Sequence, residues 1–230
     1  MSVLGVLHDT ISLFIPRHCA GCDRPLHRTE GNICLVCLSD LPRTRFHDDP
    51  DNRIELLFRG CVQLEAASAF LHFSRSGRVQ HILHRLKYRG DREAGLTLGR
   101  LMGREVKECA RFHTVDTVLA VPLHRRKERA RGYNQSQILV DGLREEWPLT
   151  DAQHGLQRVV RTATQTKRGR LDRWRNVMEA FEVSKPALLE GKHILLVDDV
   201  VTTGATMESC IRTLQQVPGV RVSVLTAACA

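Results

Sequence analysis

The sequence has no apolar run of about 18 residues, so it predicts no helical membrane span. Aromatic rings are scarce: two Trp and two Tyr in 230 residues. Tyr133 and Trp174 lie within basic stretches, and each suits packing as well as it suits stacking on a base. Neither GxxxxGK[ST] nor GxGxxG occurs, which removes the two commonest glycine-rich phosphate loops. There is no internal repeat and no low-complexity tract. The first residues, MSVLGVLHDTISLFIP, lack a basic leader region and carry Asp9. Val3, Leu4, Leu7, Ile11 and Phe14 fall at helical spacing, which reads as a short amphipathic helix, with a signal peptide as the alternative. What the chain does have is 42% hydrophobic and 26% charged residues, a composition for a packed core rather than disorder. Its length suits one α/β domain plus a small module.

The most informative stretch is HILLVDDVVTTGATM, residues 193–207. An apolar strand, Ile194–Val197, runs into Asp198 and Asp199, then into a small, hydroxyl-rich turn of Thr202, Thr203, Gly204, Ala205 and Thr206, then into an amphipathic helix. Strand ends at the carboxyl edge of a parallel sheet are where α/β folds bind ligands. Backbone N–H groups of the turn and helix N-terminus suit a phosphate, and glycine permits close backbone approach. The acids would repel that phosphate and should face hydroxyls or a metal. Phosphate at one end and a diol at the other describes a ribose 5-phosphate. The segment resembles the phosphoribosyl pyrophosphate (PRPP) signature of type I phosphoribosyltransferases. The resemblance implies that Asp198 and Asp199 hold the ribose hydroxyls as the catalytic pair, that Thr202–Thr206 hold the 5′-phosphate, and that Mg²⁺ accompanies PRPP.

Eight cysteines divide into four clustered and four isolated ones. Cys19, Cys22, Cys34 and Cys37 form CxxC–x11–CxxC, a spacing for a closed, structural zinc site in which four thiolates leave no open position. Disulfides and redox CxxC pairs are the alternatives. His18 and His47 read as solvated histidines, with substitute ligands as the alternative. Cys61, Cys109, Cys210 and Cys229 read as inert buried thiols.

Strand and helix signals alternate along the rest, predicting a mostly parallel, doubly wound sheet. Residues 43–59 read as a polar linker with a short helix, 61–73 as strands, and the stretch from Phe73 to Val106 as a turn and two helices broken near Arg89–Gly90. Val115–Val121 reads as a strand, Ser136–Trp147 as a helix, and Ala180–Val183 and Val220–Ala227 as strands. Net charge is +8, and residues 124–176 hold thirteen Lys/Arg against six Asp/Glu, so nearly all the excess sits there. That concentration predicts a polyanion surface. Within it, a loop after Val115–Val121 carries Arg125, Arg126, Lys127, Arg129 and Arg131, cations suited to a pyrophosphate. Residues 158–181 follow as a basic segment placed to act as a lid over an activated sugar.

Together, CxxC…CxxC, LKYRGD (86–91), VPLHRRKERARGYNQ, the TxxQ…RxxN pattern (Thr162, Gln165, Arg173, Asn176) and VDDVVTTGAT resemble the ComF (competence protein F, ComFC-type) family. Lys167–Arg168–Gly169 departs from the small-apolar-small stretch common there. The resemblance implies a type I phosphoribosyltransferase fold over 59–230 behind an N-terminal helix, zinc module and linker over 1–58. It further implies a cytoplasmic role in natural transformation, with single-stranded DNA and a competence helicase as partners. PRPP would lie on Asp198, Asp199, Thr202–Thr206, Arg125, Arg126 and Arg131. In a transfer reaction pyrophosphate leaves C1 and an acceptor attacks, the arginines stabilising the leaving charge. A nucleobase salvage enzyme and a non-enzymatic DNA-binding module that keeps PRPP as a regulatory ligand are the alternatives.

Overall fold

The computed structural model describes residues 17–159 and 181–230. The amphipathic segment before Arg17 and most of the lid segment, with Trp174, lie outside the described residues. Helix α1 (Leu35–Ser39) belongs to the cysteine module, and α2 (Arg53–Phe58) to the linker. There follow β1 (Ala67–His72), α3 (Arg78–Tyr88), α4 (Arg92–Val106), β2 (Thr117–Ala120), α5 (Arg125–Arg131), α6 (Gln135–Glu146) and β3 (Thr150–Asp151). Strands β4 (Leu156–Arg158) and β5 (Phe181–Val183), then β6 (His193–Val201), α7 (Ala205–Leu214) and β7 (Arg221–Cys229) complete the chain.

Five strands form a parallel sheet in the order β1-β7-β6-β2-β3, while β4 and β5 pair antiparallel and flank the lid segment. Along β6 the side chains alternate between two cores: Leu195 and Val197 enter the one built with α3, α4 and α6, and Ile194 and Leu196 the one shared with α2 and α7. Burial on both faces is why this strand reads as an unbroken apolar run. The chain leaves β2 toward one edge and β6 toward the other, so the strand order reverses between these neighbours. That switch point opens a crevice at their carboxyl ends.

Helices α4 and α6 pack almost backbone to backbone. A Cβ at Gly99 would collide with the Leu139 carbonyl oxygen, and one at Gly142 with that of Leu96. A Cβ on Gly103 would stand 2.8 Å from the Leu143 oxygen. The expected linker is no spacer. Asn52 caps α2 by accepting from Ile54 and Glu55, and its amide donates to Phe46, Asp49 and Ala67 carbonyls. Ile54 and Phe58 then enter the core beside β1. On the other side, Cys19, Ile33, Cys34 and Cys37 join the same core as Val79 and Ile82 of α3. The boundary expected at 58/59 therefore crosses continuous packing.

Strand limits differ from the expectation in two informative places. Strand β6 runs on to Val201, so both acids lie within a strand rather than beyond its end. The basic loop after β2 is wound largely into α5, which ends at Gly132 with φ 80°, a left-handed residue that glycine accepts without strain. No helix among the described residues is long and apolar enough to cross a membrane.

Candidate functional site: an acid pair beside a glycine turn, and a cysteine cluster

The crevice at the switch point has a volume of about 190 Å³ and is lined by Asp198, Asp199, Thr206, Lys87, Lys127, Arg131 and Arg158, among others. Each comes from a different local cause. Asn134 caps α6, accepting from Ser136 N–H at 3.1 Å and donating to the Val121 carbonyl at 3.0 Å, which ties the helix start to the end of β2. Ser136 is thereby aimed at β6, and its hydroxyl donates to Asp198 Oδ1 at 2.7 Å. Asp199 N–H donates to the same oxygen at 2.8 Å. Lys87, from the last turn of α3, reaches Asp199 Oδ2 at 2.9 Å. That oxygen is shielded from solvent and lacks a well-aligned hydrogen-bond donor, so it depends on this one cation.

Asp198 retains some exposed surface, yet burial of its carboxyl, followed by the charge of Asp199, raises it to about 7. An unfolded aspartate titrates near about 3.9, so the folded chain binds the extra proton between these values, and this group's contribution to stability is lost as pH rises through them. Asp198→Asn keeps an oxygen for Ser136 and Asp199 N–H and removes the charge. The expected result is a gain in stability over the unsubstituted protein that is smaller at pH 5 and larger at pH 8, on the order of a few kcal/mol at most, read as a rise in Tm. Equal differences at both pH values in thermal melts would refute this account.

Beyond the acids the chain turns at Gly204, φ 77°, and enters α7. A side chain here would be strained, and its Cβ would stand 3.0 Å from Phe58 of α2. Thus α2 backs the turn. Thr202 and Thr203 are exposed, Ala205 is partly buried, and Thr206 lines the crevice. Of the cations expected here, Arg131 lines the crevice and donates to Gln135 at 2.6 Å, whereas Arg125 and Arg126 stand exposed on α5 outside its wall. Lys87 was not among the expected binding residues, and Arg158 was expected only as the first residue of the lid segment. The first sits in the LKYRGD stretch, and its membership of that stretch was the available signal. Ser136 had none, because a serine at a helix start reads as a capping residue.

At the N-terminal end the sulfurs of Cys19, Cys22, Cys34 and Cys37 all lie within 4.8 Å of one another. Sulfurs held about 2.3 Å from one tetrahedral ion stand roughly 3.8 Å apart; Cys22 and Cys34 are 3.9 Å apart, and no cysteine among those described is in a disulfide. Backbone N–H groups of Gly21 and Cys34 point at Cys19 Sγ, and that of Cys37 at Cys34 Sγ, each at 3.3 Å, an arrangement that favours thiolates. Burial opposes ionisation of Cys34, but the Arg24 guanidinium and the Cys37 N–H outweigh it and bring the thiol down to about 6. Burial raises Cys37. The donor set fits a structural metal ion. His18 and His47 are outside it: His47 is buried against Glu105, 3.3 Å away. Cys210 and Cys229 are buried, as read, but Cys61 is exposed and Cys109 half-buried.

The fold and crevice define a phosphoribosyltransferase-type chain, and a family profile described as phosphoribosyl transferase domain matches residues 132–228. The chain is 33% identical to DNA utilization protein YhgH of Salmonella typhi over 85% of this chain and 89% of that protein. It is 30% identical to competence protein F of Haemophilus influenzae over 88% and 93%, and 26% identical to competence protein ComFC of Bacillus subtilis over 85% and 77%. The protein belongs to the ComF family of phosphoribosyltransferase-fold proteins.

Proposed function

We propose that the protein binds PRPP with Mg²⁺ and single-stranded DNA, and serves the handling of incoming DNA, a role in keeping with relatives named for DNA utilization and competence. The observation that carries the PRPP reading is the juxtaposition in one crevice of a paired acid, a left-handed glycine turn at a helix N-terminus, and four cations from three elements, Lys87 on α3, Lys127 and Arg131 on α5, and Arg158 on β4. The acids receive ribose hydroxyls, the N–H groups and threonine hydroxyls of 202–206 receive the 5′-phosphate, and Lys127, Arg131 and Arg158 face the pyrophosphate. Lys87 now neutralises Asp199 and stands on the pyrophosphate side, so bound PRPP offers its ammonium a second anion. Mg²⁺, when bound with PRPP, would shield the pyrophosphate charge. The four cysteines hold a structural zinc.

Asp199→Asn preserves shape and removes a charged acceptor, and charge-assisted hydrogen bonds are worth about 1.5–3 kcal/mol. Calorimetry should show PRPP affinity falling roughly ten- to hundredfold. Unchanged affinity would remove the acids from the site. A screen of nucleobases and other acceptors for pyrophosphate release from PRPP then separates transfer from ligand-only binding.

A further inference from the structure

The two tyrosines of this chain are used in opposite ways. Tyr133 is half-buried, donates to the Leu86 carbonyl, and lies under Arg92 at 4.7 Å. It is consumed by packing. Tyr88 is 65% exposed at the end of α3, and its hydroxyl meets no partner among the described residues. Its ring lies 4.8 Å from that of His84, one turn back, and 5.2 Å from the Arg131 guanidinium. One more turn back, His81 is also exposed. These residues recur at helical spacing, so they share one face of α3 over about 10 Å. The face opens into a groove of about 340 Å³ between α3 and the cysteine module, lined by His81, His84 and Arg89, with Cys19 and Ala20 on the module side. The nearby acids Asp23 and Asp91 are both taken up by Arg85, at 3.2 and 2.9 Å. Arg89 is exposed and forms no ion pair among the described residues.

Contiguity with the crevice follows from two contacts. Lys87 and Tyr88 are neighbours in sequence, one turned to Asp199 and the other to solvent. Arg131 both lines the crevice and covers Tyr88. Fold stability explains neither the exposed ring nor the free guanidinium beside it. Exposed rings interleaved with cations suit bases stacked on the rings and phosphates laid along the cations. We infer that a single-stranded polynucleotide runs along α3 and the edge of the cysteine module, with bases on His84 and Tyr88 and phosphates toward Arg89 and Arg131, and that this track ends at the PRPP crevice. This rests on the nucleic-acid part of the function proposed above and locates it. The charge count alone had directed attention to residues 124–176, which contribute Arg131 at the junction.

The test uses the full chain and a short labelled oligothymidylate, with an abasic phosphodiester of equal length as the second probe. Tyr88→Ala should weaken oligothymidylate binding roughly five- to hundredfold, since stacking is the interaction lost. It should leave the abasic probe nearly unaffected, and Tyr88→Phe should restore binding. Arg89→Ala should weaken both probes and lower the log–log salt slope by less than one unit, the share of one phosphate contact at about 0.7. His84→Ala should bind PRPP as the unsubstituted protein does, which verifies folding. Oligothymidylate binding unaltered in all three alanine variants would overturn the track while leaving DNA binding in place. Failure of the unsubstituted protein to bind either probe at low salt would overturn both, and PRPP calorimetry would still stand separately.

Discussion

Gly142→Val should leave little folded protein, and Gly142→Ala should lower Tm markedly. The reason is what surrounds the missing side chain: a Cβ at 142 meets the backbone of Leu96, and one at 99 meets the backbone of Leu139 and Leu143. A flexible side chain could move aside; a carbonyl in a hydrogen-bonded helix cannot. Alanine gains about 1 kcal/mol of helix propensity over glycine, but separating α4 from α6 opens the core along Leu98, Met102, Leu139 and Leu143. Overpacking costs about 1–3 kcal/mol where side chains can adjust, so a net loss of about 3 kcal/mol or more is expected here. For a chain of this size that is a fall of roughly 6–12 °C in Tm. Gly31→Ala is the control: nothing lies within 4 Å of its Cβ position, so its effect should stay within about 0.5 kcal/mol. Circular dichroism melts in which Gly142→Ala and Gly31→Ala behave alike would refute the close-packing account.

Loss of the metal should have the other large effect. Elemental analysis should find one zinc per chain, and Cys34→Ser should abolish it. Zinc binding to small cysteine and histidine modules is worth apparent energies of about 10–16 kcal/mol, comparable with the whole stability of an ordinary domain at about 5–15 kcal/mol. Cys19, Cys34 and Cys37 are buried in the core that also holds Ile33, Val79 and Ile82. Their release should therefore lower the main unfolding transition as well as admit protease between residues 17 and 41. Absence of zinc from the unsubstituted protein, or equal zinc in Cys34→Ser, would overturn the assignment.

The pieces legible in the sequence were those whose chemistry is local. Strand β6 announces itself because both its faces are buried, and its acids and small turn follow within ten residues. The cysteine pairs are readable because each CxxC brings two thiols together in one tight turn, and a four-sulfur cluster needs only that two such turns meet; the four sulfurs do meet. What the sequence by itself determined is thus the alternation of strands and helices, the acid pair with its hydroxyl-rich glycine turn, and the cysteine set.

Tertiary structure decided which distant groups reach that turn. Lys87 lies 112 positions before Asp199 and Ser136 lies 62 before Asp198, and only the fold that brings the end of α3 and the start of α6 to the carboxyl edge of the sheet unites them. It also divided the arginines of α5, since a helix turns Arg131 toward the crevice and leaves Arg125 and Arg126 in solvent. Gly99 and Gly142 look like weak helix residues in a sequence and become the tightest contact between two helices once those helices are paired. Each of these depends on which faces are turned together, and periodicity within one segment carries no information about the segment that will cover it.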